Sequence, residues 1–358
     1  MPAPEPFLLN QHHAPAPTPG ARGSEEVRAF HRTLPGYAET PLVSLEKVAA
    51  ASDVHVVLVK DESSRLGLPA FKMLGASWAV HRALQERGED SGPPRLVTAT
   101  DGNHGRAVAR MAKLLGLSAT VVVPRGVSEK AISLIREEGA TVEVLDVSYD
   151  ETVRHAAEMA KADGGALLVQ DTSWPGYEEV PQWIVDGYAT LFDEAADQAA
   201  QRGLDIDLLV VPAGVGSLAH AAVRFARSRP RCKVVTVEPT VAACISASLA
   251  AGELTTVPTG ETSMAGLNCG TPAYLAWPDL RTGLDGAATV DDQATKAAMA
   301  EFAELGVDSG PCGSASLAAL HTLVTGPARA ALGLTPESVV LLLNTEGSGA
   351  GSADGSPG

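Results

Sequence analysis

No run of the chain approaches the roughly 18 consecutive apolar residues that a membrane-crossing helix needs, so no transmembrane span is expected. Basic residues are in the minority, 27 Lys and Arg against 43 Asp and Glu, for a formal net charge of −16. Nucleic acid and anionic lipid both repel such a surface, and neither is expected as a partner. An anionic ligand would have to be held locally, by backbone N–H groups. Cysteine is scarce: Cys232, Cys244, Cys269 and Cys312 are dispersed, with no Cys-x-x-Cys pair, which is the pattern of separate thiols. The N-terminal MPAPEPFLLNQHHAPAPTPG has no basic start followed by an apolar core, so no secretory signal is read and a cytoplasmic location is expected. It reads as an arm, and its adjacent His12 and His13 lack a third ligand at metal-site spacing. No repeat with a period of about 20–50 residues is present, which excludes a solenoid.

What the 358 residues do contain is a 45% apolar composition arranged as short β-branched runs between Ala-rich helical stretches. VHVVLVK (54–60), RLVTAT (95–100), ATVVVP (119–124), TVEVLD (141–146), ALLVQD (166–171), LLVVPAG (208–214), KVVTVEP (233–239) and SVVLLLN (338–344) read as strands. Continuous apolar strands alternating with helices indicate an α/β fold with open, mostly parallel sheets covered on both faces. Ligands of such folds sit beyond the C-terminal ends of strands, where loops lead into helix N-termini.

Four strand ends carry chemistry. KDESSRLGLPAFKMLGASWAV follows the first strand and places Lys72 at the start of an apolar helix. It is either a snorkelling surface lysine or a desolvated amine able to form a Schiff base. Asp101-Gly102-Asn103-His104-Gly105 opens a helix after RLVTAT, either as an anion site or as a capped turn. Asp171-Thr172-Ser173-Trp174-Pro175-Gly176-Tyr177 ends a third strand in a loop dense in polar and aromatic groups. Pro212-Ala213-Gly214-Val215-Gly216-Ser217-Leu218 is a Gly-x-Gly turn into a helix. It suits a phosphate or close helix–strand packing, and it is neither a dinucleotide fingerprint nor a Walker loop.

Together these segments resemble the pyridoxal-phosphate (PLP) enzymes of the tryptophan-synthase-β-like fold, PLP fold type II. FKMLGA is similar to their lysine motif, DGNHGRAVA to their substrate-carboxylate loop and AGVGS to their phosphate loop. FHRTLPGYAETPLVSL, KDESSRLGLPAFKMLGAS, QDTSWPGYEEVPQWIVDGYATL, MAGLNCG and LLLNTEG further resemble the diaminopropionate ammonia-lyases, from about Phe30 to Gly347. The resemblance implies that Lys72 carries PLP as a Schiff base and, once released, removes the α-proton of an L-amino acid. Asn103 would bind the cofactor's O3′, and Gly214, Val215, Gly216, Ser217 and Leu218 its phosphate. Thr345, preferred over Asn344, would face the pyridine nitrogen; a neutral partner there favours β-elimination. Asp101, where most relatives have Ser or Thr, would be the base for D-substrates, and Asp171 would recognise a substrate ammonium or assist departure of the β-amine. Gly102, His104, Thr172 and Tyr177 would complete the substrate site. The products would be an aminoacrylate, then pyruvate and ammonia. The alternatives are a β-replacement synthase and a non-catalytic binding protein that kept the fold.

One departure bears on the substrate. Ser309-Gly310-Pro311-Cys312-Gly313-Ser314 stands where related lyases have Ser-Gly-Glu-Ser-Gly, with Pro311 in place of the acid. The resemblance also implies a homodimer acting on a small amino acid. Its domain plan is an arm over 1–40, a large PLP-binding domain over 41–90 and 180–346, a small domain over 91–179, and a disordered tail over 347–358. Cys244 and Cys269 could approach each other near the site entrance, with buried thiols the expected state.

Overall fold

The structure, a computed structural model, describes residues 6–14, 24–87, 92–100 and 102–350. Two sheets form the frame. The larger orders seven strands as β1 (Phe7–Leu9), β10 (Gly286–Val290), β9 (Lys233–Pro239), β8 (Leu208–Pro212), β11 (Val339–Asn344), β3 (Val56–Asp61) and β2 (Leu42–Ser44). Its five inner strands are parallel, and the two edge strands, β1 on β10 and β2 on β3, are antiparallel. The smaller sheet orders β6 (Thr141–Leu145), β5 (Ala119–Pro124), β4 (Leu96–Ala99) and β7 (Leu167–Leu168), all parallel. Every residue of β5, β8 and β11 is buried, as expected of parallel strands sandwiched between helices. The chain is thus a two-domain α/β protein.

Three strands were not legible in the sequence. β10 is Gly-Ala-Ala-Thr-Val, too poor in β-branched residues to stand out, yet all five residues are buried. β1 lies in the expected arm, where Asn10 Nδ2 also donates to the Arg281 and Leu284 carbonyls at 2.9 and 2.7 Å. β2 is only three residues long. The run 166–171 shortens to β7, and beyond it the Tyr177 hydroxyl takes the Leu168 carbonyl and the Gln170 amide. Residues 347–350 of the expected tail are fixed: the Gly347 amide donates to the Pro69 carbonyl at 3.0 Å, and Ser348–Ala350 form a 3-10 turn. Residues 351–358 lie outside the described part.

Two devices position Lys72. Its helix, Lys72–Arg87, meets the helix Glu179–Gly187 through glycines: a Cβ at Gly75 would lie 2.6 Å from Tyr188 Cε1, and one at Gly187 would lie 2.6 Å from the Leu74 carbonyl oxygen. Only glycine allows helices to approach so closely. The loop before Lys72 is anchored by a buried tetrad. Arg65 donates to Glu62 and Glu194, and Lys60 to Glu194, at 2.6–2.8 Å. All four side chains are at most 1% exposed, so two cations and two anions neutralise one another out of water.

Candidate active site

The C-terminal ends of β3, β4, β7, β8 and β11 lead to one cavity of about 720 Å³. Lys72, Gly102, Asn103, His104, Asp171, Gly214, Val215, Gly216, Ser217, Leu218 and Thr345 all line it, so eleven of the residues singled out in the sequence are brought together. Asp101 lies outside the described residues. Thr172 and Tyr177 do not line the cavity. The Tyr177 hydroxyl is occupied elsewhere: it donates to the Leu168 carbonyl and accepts from the Gln170 amide, both at 2.9 Å, and its ring stacks on Trp174.

Lys72 is the first residue of its helix, and the preceding segment is zipped to the end of β11. The Phe71 amide donates to the Thr345 carbonyl at 3.2 Å, and Ala70 bridges Glu346. Lys72 Nζ lies 2.7 Å from Asp171 Oδ2. Burial alone would lower the lysine pKa, but the facing carboxylate outweighs it and holds the pKa above the ordinary range. Burial would raise Asp171, but the opposite charge of Lys72 and its hydrogen bond outweigh this and hold the acid below its ordinary range. The unbound pair is therefore an ammonium and a carboxylate.

Gly102 precedes the helix Asn103–Leu115 with φ 151°, a conformation suited to glycine, and the Thr100 hydroxyl accepts from the Gly102 and Gly105 amides at 2.9 and 3.0 Å. His104 Nε2 donates to the Val169 carbonyl at 2.8 Å, which leaves Nδ1 as the acceptor nitrogen of the neutral ring. That Nδ1 is buried without a partner among the described residues and lies 3.8 Å from Asp171 Oδ2. Burial lowers the His104 pKa and keeps it neutral.

The glycine turn after β8 is built for close approach. Gly216 is the N-cap of Ser217–Ala226, at φ 96° and with no side-chain cap, so the first amides of that helix open toward the cavity. A Cβ at Gly214 would lie 2.9 Å from Cys269 Sγ, and one at Gly216 would lie 2.7 Å from Leu280 Cδ1. Ser217 Oγ donates to the Asp171 carbonyl at 2.7 Å, tying this turn to the acidic loop. Thr345 Oγ1 is buried with no partner among the described residues, whereas Asn344 Nδ2 donates to Asp61 and to the Asp308 carbonyl, both at 2.8 Å. An uncapped helix N-terminus for a phosphate and an unused hydroxyl for a ring nitrogen both fit PLP.

Two polar residues escaped the sequence reading. Glu346 accepts from Asn103 Nδ2 at 2.6 Å and from the Cys312 amide at 3.1 Å, so a carboxylate lines the cavity although position 311 is proline. Its signal was present in the LLLNTEG motif. Gln170 accepts from the Ala99 amide at 2.9 Å and donates to Asp171 Oδ1 at 3.3 Å, linking β4 to the acid. All four cysteines are buried thiols.

A half-buried lysine at a helix start, a bare helix N-terminus lining the same cavity and a loop carboxylate on its amine define a cofactor-binding α/β enzyme site. The chain belongs to the family of pyridoxal-phosphate dependent enzymes, whose pattern it matches over residues 33–346. It is 36% identical to diaminopropionate ammonia-lyase of Escherichia coli K12 over 351 residues, covering 89% of this chain and 87% of that one. The crystal structure of the Escherichia coli lyase in complex with D-serine superposes with a TM-score of 0.89 at 32% identity, covering 96% of this chain and 94% of the other. Maize serine racemase superposes with a TM-score of 0.78 at 25% identity, covering 93% of each chain.

Proposed function

We propose that the protein is a β-eliminating ammonia-lyase acting on 2,3-diaminopropionate or a closely related β-substituted amino acid, releasing pyruvate and ammonia. The observation that carries this reading is the Lys72–Asp171 pair at 2.7 Å inside a cavity furnished for PLP. A β-amine leaves only when protonated, and this pair is a proton store at the reacting end of the site. Likeness to the Escherichia coli lyase, also crystallised with an aminoacrylate-PLP azomethine reaction intermediate, supports the same choice.

When bound, PLP supplies the electron sink for a carbanion at Cα. Lys72 Nζ, once free and neutral, takes the α-proton of an L-substrate, and Asp171 Oδ2 stabilises the resulting ammonium. From that ammonium a proton passes to the departing β-amine. Neutral His104 offers Nδ1 as an acceptor within the cavity, and Asn103, oriented by Glu346, would hold the cofactor's O3′. The Gly214–Leu218 amides would hold the phosphate, and Thr345 would meet the ring nitrogen. Asp101 is the base for D-substrates, whose α-proton Lys72 does not reach. Tyr177 holds the segment that leads into Asp171 through its bonds to the Leu168 carbonyl and the Gln170 amide.

The reading extends to a cytoplasmic homodimer with a large domain over 41–90 and 180–346 and a small one over 91–179. The second sheet, over residues 96–168, falls within that small domain. The test is a panel of L- and D-amino acids with β-amino, β-hydroxyl and β-chloro groups, assayed for pyruvate and ammonia. Diaminopropionate should give the highest kcat/KM, with one pyruvate and two ammonia per turnover. A new amino acid formed when a nucleophile is added, with little pyruvate, would make the protein a β-replacement synthase instead.

A further inference from the structure

Gln170 is 0% exposed and does not line the cavity, yet every hydrogen-bonding position of its side chain is used. Oε1 accepts from the Ala99 amide at 2.9 Å and from the Thr98 hydroxyl at 3.2 Å. Nε2 donates to Asp171 Oδ1 at 3.3 Å and to the Tyr149 hydroxyl at 3.2 Å. A glutamine amide that flips exchanges its donor and its acceptor. Here the flip is blocked. The Ala99 N–H only donates and the Asp171 carboxylate only accepts, so Oε1 must face β4 and Nε2 the acid. The backbone amide of Gln170 donates to the Tyr177 hydroxyl at 2.9 Å, which fixes the main chain at the same point. The two oxygens of Asp171 are thereby distinguished: Oδ1 is held by an uncharged donor, and Oδ2 lies 2.7 Å from Lys72 Nζ. Rotation about the terminal bond of an aspartate is otherwise soft, and a carboxylate held at one end only would offer the amine either oxygen.

We infer that Gln170 is a positioning residue for the acid–amine pair: it pins Asp171 Oδ1 toward β4, so that Oδ2 is the oxygen that meets the Lys72 amine. The inference rests on the reading of this pair as the proton source for a departing β-amine. When a Cβ–N bond breaks, its electron pair stays on nitrogen and takes a proton, which the Lys72 ammonium supplies. When a Cβ–Cl bond breaks, the pair leaves on chloride and no proton is needed. A loosely held Asp171 therefore slows the loss of an amine and affects the loss of chloride much less. The neutrality of glutamine suits this task, since it holds the acid without adding a charge that competes with Lys72. The titratable groups around Asp171 are Lys72, His104, Tyr177 and Tyr188, and Tyr149 meets Gln170 itself.

The test compares kcat for L-diaminopropionate and for β-chloro-L-alanine within one preparation of each holoenzyme, so that the folded fraction cancels. Gln170→Leu should lower the amine-to-chloride ratio about ten- to a hundredfold, the scale of a misplaced catalytic group. Gln170→Glu keeps the volume and the bond from the Ala99 amide, and it decides the matter if the Leu variant does not fold. Its protonated form gives one hydrogen to Asp171 and its ionised form repels Asp171, while burial beside that carboxylate raises the new acid above the ordinary range. Relative to wild type, its ratio should be near one at about pH 6 and fall as the pH rises toward about 9. The surrounding titratable groups are the same in both proteins, so this added pH dependence belongs to the new acid. Crystal structures of the cofactor-free proteins supply a readout without turnover. Asp171 Oδ1 should face Gln170 in the wild type, and the carboxylate should be turned, or split between orientations, in Gln170→Leu. A wild-type ratio in Gln170→Leu, a ratio in Gln170→Glu that does not fall with pH, or an unmoved Asp171 in the Leu variant each overturns the inference. An Asp171→Asn protein that keeps the wild-type ratio overturns the reading of the pair itself, and the inference with it.

Discussion

At the scale of single residues, the site is governed by which carboxylate faces which amine. Lys72 and Asp171 were both legible in the sequence, because each follows a strand and each belongs to a motif. Their mutual contact was not, since it joins positions 99 residues apart. Glu346 sat inside the LLLNTEG segment, but its role was hidden, because only packing across 243 residues brings it to Asn103. Tyr177 shows the converse, an aromatic in a conspicuous loop whose hydroxyl is consumed by backbone groups. The sharpest residue-level prediction concerns Asp101. The α-protons of L- and D-substrates lie on opposite faces of the cofactor plane, and Lys72 is tethered to one face. Asp101→Asn should keep PLP binding and its absorbance. It should slow turnover of D-diaminopropionate by roughly 10²–10⁴-fold, the usual loss for a general base, with a smaller effect on the L-form. Equal losses for both enantiomers would make Asp101 a shared acid or a structural cap.

At the scale of elements, the sequence conveyed the parallel strands well, because full burial forces them into continuous apolar runs. It conveyed the edges poorly. β1 is held by β10 and the Asn10 hydrogen bonds, β2 by pairing with β3, and β10 by burial of small residues. None of these forces leaves a local pattern. The glycine turn after β8 illustrates how an element becomes a site. Its Gly216 combines φ 96° with contact against Leu280, so Gly216→Ala is strained in two ways. The left-handed conformation alone costs a non-glycine residue roughly 1–2 kcal/mol. Relaxing it would turn the first amides of Ser217–Ala226 away from the phosphate, and PLP affinity should fall about tenfold or more for a loss of that size. Titration of the apoprotein with PLP measures this directly; unchanged affinity would remove the turn from the site.

At the scale of the whole molecule, the buried tetrad of Lys60, Glu62, Arg65 and Glu194 joins β3, the loop before Lys72 and the helix Ala189–Ala200. Removing one cation strands a buried charge, and Arg65→Met should destabilise the protein by about 3–5 kcal/mol in denaturant unfolding. Loss of only a few tenths would mean that water enters the tetrad. The same group sets part of the acid limit. Burial would raise Glu194, but Arg65 and Lys60 hold it at about 2, below its ordinary 4.5. A carboxylate depressed by folding contributes stability that is complete above the unfolded value and is lost as pH falls through the folded one. Stability should therefore decline between about pH 4.5 and 2 by this route, and Glu194→Gln, although weaker at neutral pH, should show a shallower decline across that window.

The large sheet has one further consequence. Both margins are three-residue strands running against the parallel core, and one of them, β2, ends two residues before an acidic side chain at Glu46. A margin that short offers a neighbouring chain few unpaired backbone groups, and its reversed direction spoils the register a parallel intruder would need. A core of five parallel strands, most of them rich in valine and leucine, would otherwise be a template for filaments. Here both edges of the sheet are sealed by inconspicuous segments, and removing residues 1–10 would uncover β10 and invite edge-to-edge self-assembly of a strongly acidic chain, which sedimentation would detect.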